Sequence, residues 1–394
     1  MISIAEHLSS RQLSWDTAAA KAGLSPERLR QVAGGAEASL GEMRRIAKAL
    51  RLPLSSIVDE APAEPIKMLF RQTIDQRAAG VASSVEVLSA QIRDALTLVD
   101  GLQKNTGWLD LFRGLDANVQ GAEQFANLFR KAYGELDDSE PFLQLGRVVE
   151  EVGVYVLYCR DSSIEGASAI VDGYAFILLG ARRFKPRMLF TIAHEVGHLV
   201  ARHDRRDASY AMLDSEKDFD GFVNTPQKAE EKFADEFASA LVLPRHGVLK
   251  ALKAIRAQLK AAGPLGDVEI LWLSRFFGVS FEVAARRCEQ LTLLPDRGAR
   301  ALDQRLKDDF GNPEKRAEQL GLPARENFDI DPSPALLQAA AQRVRAGSLS
   351  VGRAAELLNV PVSALVVANA GMIGLSISAH RGRHFRLIVD GISA

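Results

Sequence analysis

The sequence predicts an α+β protein that is predominantly helical, with one small sheet. Over most of its 394 residues apolar side chains recur at i, i+3 and i+4, the spacing of amphipathic helices. Between Val149 and Gly180 that rhythm breaks into "VEEVGVYVLYC", "GASAIV" and "GYAFILLG", three runs suited to buried strands. It then returns in "FTIAHEVGHLV", Phe190 to Val200, which places His194 and His198 four residues apart in a chain of only seven histidines.

Composition sets outer bounds. The length allows two or three domains, and 47% hydrophobic with 25% charged residues is ordinary for a globular protein. A net charge of −1 excludes a global pull toward nucleic acid or anionic lipid, so any DNA contact has to come from a local patch. Cys159 and Cys288 stand in no disulfide or metal spacing, which points to a reducing compartment. The opening "MISIAEHLSSRQLSW" carries charges and no apolar core, so no secretory signal is expected and the cytoplasm is the predicted location. Leu357 to Ala379 has no charged side chain, but Asn359, Pro361, Asn369, Gly371 and Gly374 interrupt it. The overlapping upstream stretch "LSVGRAAELLNVPVSAL" reads as helix, tight turn and helix of a soluble module, so a membrane span is not expected.

Residues 1–60 hold short helices. "SWDTAAAKAG" begins at a Ser14 cap and stops at Gly23, "LSPERLRQVAGG" has Ser25 as cap and Pro26 in the first turn, and "SLGEMRRIAKALRLPLSSIV" gathers Met43, Ile46, Ala47 and Leu50 on one face. Two helices about a turn at Gly23 and Leu24 make a helix-turn-helix arrangement. "AAAKAGLSPERLRQV" and the trailing "LGEMRRIAKALRLPLSSIV" resemble the Cro and repressor-type (XRE) family. That resemblance implies a second helix in the DNA major groove, with Ser25, Glu27, Arg28, Arg30 and Gln31 near the DNA. Acidic residues balance the basic ones across this segment, so it is expected to bind double-stranded DNA weakly unless dimerised, or to dock protein instead.

"DEAPAEPIK", Asp59 to Lys67, is the expected linker. Residues 61–138 comprise it and a helical region, and a new unit starts at "DDSEP". Residues 139–250 are assigned to the unit with the strands and the histidine helix, 251–296 to a helical extension, and 297–394 to a helical C-terminal domain. That last region is either a second helix-turn-helix or a dimerisation bundle, which leaves a homodimer open. "LDSEKDFDGFVNTPQK", Leu213 to Lys228, is expected to be a loop, either a flap at the cleft or a passive connector.

The chemistry lies in "HEVGH", an H-E-x-x-H motif. At i and i+4 on one helix face, His194 and His198 can offer ring nitrogens to one zinc. Glu195, rotated about a hundred degrees from His194, is placed to take a proton from a water polarised by such a cation. The order of helix, three strands and histidine helix is that of a zincin-type peptidase, with "YAFILL" as a sheet edge on which an extended peptide aligns.

Two candidates compete for third ligand. Asp204 occupies the last position of a metzincin-like extension, but Ala201 stands where that motif needs a glycine. The rival is "EEKFADEFASALVLP", where Glu231 precedes Asp235 by one helical turn. A carboxylate there can complete the shell while the next one accepts the spare N–H of a ligating histidine.

"FTIAHEVGHLVARH" and "EEKFADEFASALVLP" together resemble the ImmA/IrrE metallopeptidases. Glu231, Ala234, Asp235, Phe237, Ala238, Leu241, Val242 and Pro244 match that family's second motif in register. The resemblance implies a gluzincin-type site with His194, His198 and Glu231 as ligands, Glu195 as base, and Zn2+ as cofactor with Mn2+ the alternative. It further implies an endopeptidase that cleaves a repressor or antitoxin encoded nearby, to control transcription under stress or in mobile-element defence. The alternative is a DNA-binding regulator whose peptidase-like domain senses metal or ligand without cutting. His203, Tyr174 and Tyr210 are candidates to stabilise the oxyanion, and none stands out.

Overall fold

The computed structural model describes residues 4–10, 13–36, 38–50, 52, 54, 81–99, 102, 104, 106–161, 164–205, 209–214 and 226–369. The expected linker at 59–67, residues 215–225 of the expected loop and residues 370–379 of the uncharged segment lie outside these.

The N-terminal helices are α1 (Ile4–Ser10), α2 (Trp15–Ala22), α3 (Pro26–Ala33) and α4 (Leu40–Leu50). Each boundary has a local cause. The Ser14 hydroxyl accepts from Thr17 N, Gly23 ends α2 in the left-handed region at φ 62°, and the Ser25 hydroxyl accepts from Arg28 N. Ser39 and Glu42 form a reciprocal capping box at the start of α4, each accepting from the other's backbone N–H. Ile46, Ala47 and Leu50 are buried as their spacing predicts, and Met43 is half-buried.

Arg28 departs from the expected DNA-facing set. Its guanidinium is turned into the fork of Glu42, with Nε–Oε1 2.8 Å and Nη2–Oε2 3.1 Å. Arg30 lies 5.7 Å over the Trp15 ring, while Ser25, Arg30 and Gln31 are exposed.

After α5 (Val81–Val99) come a 3-10 turn (Gly107–Phe112), α6 (Ala122–Phe129), a single π-turn (Arg130–Gly134) and α7 (Leu145–Glu151). The strands are β1 (Val154–Tyr158), β2 (Gly166–Val171) and β3 (Tyr174–Leu179). Then come α8 (Lys185–Ala201), β4 (Tyr210–Asp214) and α9 (Pro226–Val242). Beyond them lie α10 (Arg245–Leu259), α11 (Asp267–Phe276), α12 (Phe281–Gln290), α13 (Gly298–Phe310), α14 (Pro313–Gln319), α15 (Pro334–Arg345), α16 (Val351–Leu358) and α17 (Val362–Asn369).

The sheet order is β1-β3-β2-β4, with β1 and β3 parallel and the other pairs antiparallel. β2 and β3 form a hairpin over Asp172 and Gly173, both at positive φ, the backbone that a two-residue turn demands. This topology corrects the expectation for "YAFILL". That strand is β3, paired on both sides and so closed to an added strand, and the strand pairing beside β2 is β4, which the sequence reading had not found.

Side chains alternate between two cores, as the pleat requires. Val154, Val156, Ile177 and Met212 face α8, α9 and the helices up to α14. Tyr155, Leu157, Phe176 and Ala211 face α5, α15, α16 and α17. Both faces of the sheet are therefore covered, which is why almost every strand residue is buried. On α5, Val85, Leu88, Ile92 and Ala95 form the stripe laid on the sheet, while Val87 joins the N-terminal core. Residues 297–369 divide between the two cores, α13 and α14 on one and α15 to α17 on the other.

Polar ties fix this cover. Ser333 N donates to Val156 O at 2.7 Å, the Ser333 hydroxyl donates to Glu150 at 2.6 Å, and Asn359 Nδ2 donates to Cys159 O at 3.0 Å. Asn359, at φ 53°, ends α16, so the predicted helix, turn and helix are present through Asn369. No helix among the described residues is long and apolar enough to cross a membrane.

Candidate metal centre

α8 enters with Pro186 in its first turn, where the missing N–H costs nothing, and its middle is wholly enclosed. From Thr191 to Val200 every side chain is buried, including His194, Glu195 and His198. Polar groups held this deep need partners. The two histidines face carboxylates of α9, which runs along α8 and is anchored by Phe233 and Phe237 against Phe125 and Phe129 of α6. Arg130 clamps the far end of α9. Its buried guanidinium donates to the carbonyls of Leu241, Asp137 and Glu140, and burial holds its pKa down, to about 10.

The three expected ligands meet. His194 Nε2 and His198 Nε2 are 3.0 Å apart, and Glu231 Oε2 lies 3.3 Å from the first and 3.5 Å from the second. A zinc with bonds of about 2.0–2.1 Å to nitrogen and oxygen, in tetrahedral geometry, needs ligand atoms about 3.3 Å apart. The triangle has that size. Among the described residues these three form a group able to hold a metal ion, and Asp204 is not in it. Asp204 is exposed and faces His203 Nε2 at 3.1 Å, because α8 ends at Ala201 and a short 3-10 turn follows.

Electrostatics suit a cation. Burial works against the ionised form of Glu231, but its bonds to His194 and His198 outweigh that and hold its carboxyl well below the usual carboxylate range. Burial likewise opposes charge on His198, yet Glu230 and Glu231 raise it to about 9.

Asp235 stands where the sequence placed it, with Oδ1 3.0 Å from His194 Nδ1, an arrangement that turns Nε2 toward the ligand triangle. Glu195 is wholly buried. It fits because residue 166 of β2 is glycine: a Cβ there would overlap Glu195 Oε1 and stand 2.7 Å from Thr191 Cγ2. The oxyanion candidates are occupied elsewhere. His203 Nδ1 donates to Val200 O and the ring packs on Phe112 and Phe125, Tyr174 OH donates to Leu102 O, and Tyr210 OH donates to Leu199 O at 3.4 Å.

Sequence reasoning missed Glu230, Arg202 and Gly166. Arg202 continues the i, i+4 series of His194 and His198, and Glu230 adjoins Glu231. Their spacing was the available signal.

No curated protein and no solved structure matches the chain. Residues 149–289, which run from the end of α7 through α12, match the family model Peptidase_M78, the IrrE N-terminal-like domain, which points to a metallopeptidase of the ImmA/IrrE class.

Proposed function

We propose that the chain is a zinc-dependent endopeptidase that hydrolyses a regulatory protein, a repressor or antitoxin, and so controls transcription. The observation that carries this reading is the triangle of His194, His198 and Glu231, whose edges of 3.0, 3.3 and 3.5 Å suit one tetrahedral zinc. When bound, zinc supplies Lewis acidity that polarises a peptide carbonyl and acidifies a neighbouring water. The chain's own residues do the rest. His194, turned by Asp235, His198 and Glu231 hold the cation. Glu195 takes the proton of the attacking water and returns it to the leaving amine. Glu231 and Asp235 are each about one-third exposed, 36% and 32%, so the site opens to substrate on the α9 side.

In this reading α3 presents Ser25, Arg30 and Gln31 to double-stranded DNA or to the protein target, and Arg28 holds α3 to α4 through Glu42. The second reading is a DNA-binding regulator that senses metal or ligand without cutting, and it uses the same exposed α3 face.

The test compares wild type with Glu195→Gln, each incubated with the repressor or antitoxin encoded beside it. Equal zinc content with cleavage by wild type alone supports the peptidase. Equal zinc content with cleavage by neither supports the regulator.

A further inference from the structure

The two histidines of the triangle are not treated alike. His194 Nδ1 meets Asp235 at 3.0 Å, whereas the buried Nδ1 of His198 has no hydrogen-bond partner among the described residues. A buried ring nitrogen without a partner at hydrogen-bond distance is costly. One carboxylate oxygen faces it, Glu230 Oε1 at 3.6 Å, a few tenths of an ångström beyond a hydrogen bond.

Glu230 is itself held. Arg202 Nε donates to Oε1 and Nη2 to Oε2, both at 2.9 Å, in the two-pronged geometry that fixes a carboxylate plane. The Arg202 guanidinium is fixed in turn, 5.0 Å over the ring of Tyr210 on β4 with Nη2 3.6 Å from Met212 Sδ. Glu230 and Arg202 side chains are only 15% and 20% exposed. A pair serving only to join α8 to α9 has no need to aim an oxygen at a histidine ring.

We infer that Glu230 is the positioning residue for His198, accepting its Nδ1–H so that Nε2 stays on the metal, and that Arg202 acts through Glu230 by holding the carboxylate in place. Each metal histidine is then steered by its own carboxylate on α9, Asp235 for one and Glu230 for the other. The inference rests on the metallopeptidase reading and extends it to the strand β4, whose Tyr210 backs the arginine.

The test uses the full chain as wild type, Glu230→Gln, Arg202→Met and the double variant. Zinc affinity is read by chelator competition, the Co2+-substituted absorption spectrum reports ligand geometry, and thermal unfolding without metal reports structure. Glu230→Gln is expected to weaken zinc binding about 10- to 100-fold and shift the Co2+ bands. Arg202→Met is expected to do the same to a lesser degree, and the double variant to be no weaker than Glu230→Gln. Wild-type affinity and spectrum in Glu230→Gln, with only a lower unfolding temperature, would make the pair structural and overturn the inference. A wild type that binds no metal would overturn the metallopeptidase reading and this inference together, and that outcome is visible before any variant is compared.

Discussion

Gly197 of α8 lies against Ala234 of α9 so closely that a Cβ on residue 197 would stand 2.9 Å from Ala234 Cα and 3.1 Å from its carbonyl oxygen. The two helices touch backbone to backbone at this point. Gly197 is the residue before His198, and Ala234 follows Glu231 by three, so the contact sets how far the glutamate stands from both imidazoles. Gly197→Ala should wedge the helices apart. The expected cost is about 1–3 kcal/mol of stability, as for other overpacked sites, with zinc affinity lowered by at least about tenfold. Denaturant unfolding and chelator competition check the two effects, and unchanged zinc affinity would show that the contact does not set the triangle.

Gly166 offers a way to disturb the base without touching a ligand. Gly166→Ala puts a methyl group into the position of Glu195 Oε1. Zinc content should stay near that of wild type while kcat for peptide hydrolysis falls by about 10²-fold, within the range that general-base catalysis contributes. Loss of zinc in this variant would show that the displacement reaches the ligands.

Metal should contribute to folding as well as chemistry. At free zinc about a thousandfold above Kd, binding adds about 4 kcal/mol to stability. Chelation should therefore lower the unfolding temperature of the wild type. In His198→Ala the chelator should make almost no difference, since two ligands remain from three.

The N-terminal helices have their own pH signature. Glu42 is held down to about 2 by its bond to Arg28 first, then by Ser39. A carboxyl with a depressed folded pKa contributes stability that is present above its unfolded value near 4.5 and lost as the pH falls toward 2. Acid unfolding of the wild type should be steeper across that window than that of Glu42→Gln. Identical acid profiles would show that the ion pair is fully screened by solvent.

How much of this was legible depended on whether a residue's partner lay in sequence or in space. The Ser14 and Ser25 caps and the α8 histidine pair were legible, because a cap or an i, i+4 pair announces itself within one or two helical turns, whereas Glu231, on a separate helix, was singled out by the resemblance of its segment to the ImmA/IrrE motif. β4 was not, since "YAMLD" is five residues with little alternation and becomes a strand only by pairing with β2. Nor was the place of α5 and α15 to α17: an apolar stripe says that a helix is covered, not by what. Glu230 escaped for a similar reason. Its neighbour Glu231 explained the acidic pair, and only the fold shows Arg202 between it and β4.

Zinc K-edge absorption fine structure on the reconstituted wild type tests the centre most directly. The account predicts one zinc per chain with nitrogen and oxygen neighbours at about 2.0–2.2 Å, two of them imidazoles, and one imidazole fewer in any metal retained by His194→Ala. A sulfur neighbour at about 2.3 Å, or an unchanged spectrum in His194→Ala, would contradict it, because no cysteine lies in the triangle and His194 would then not be a ligand.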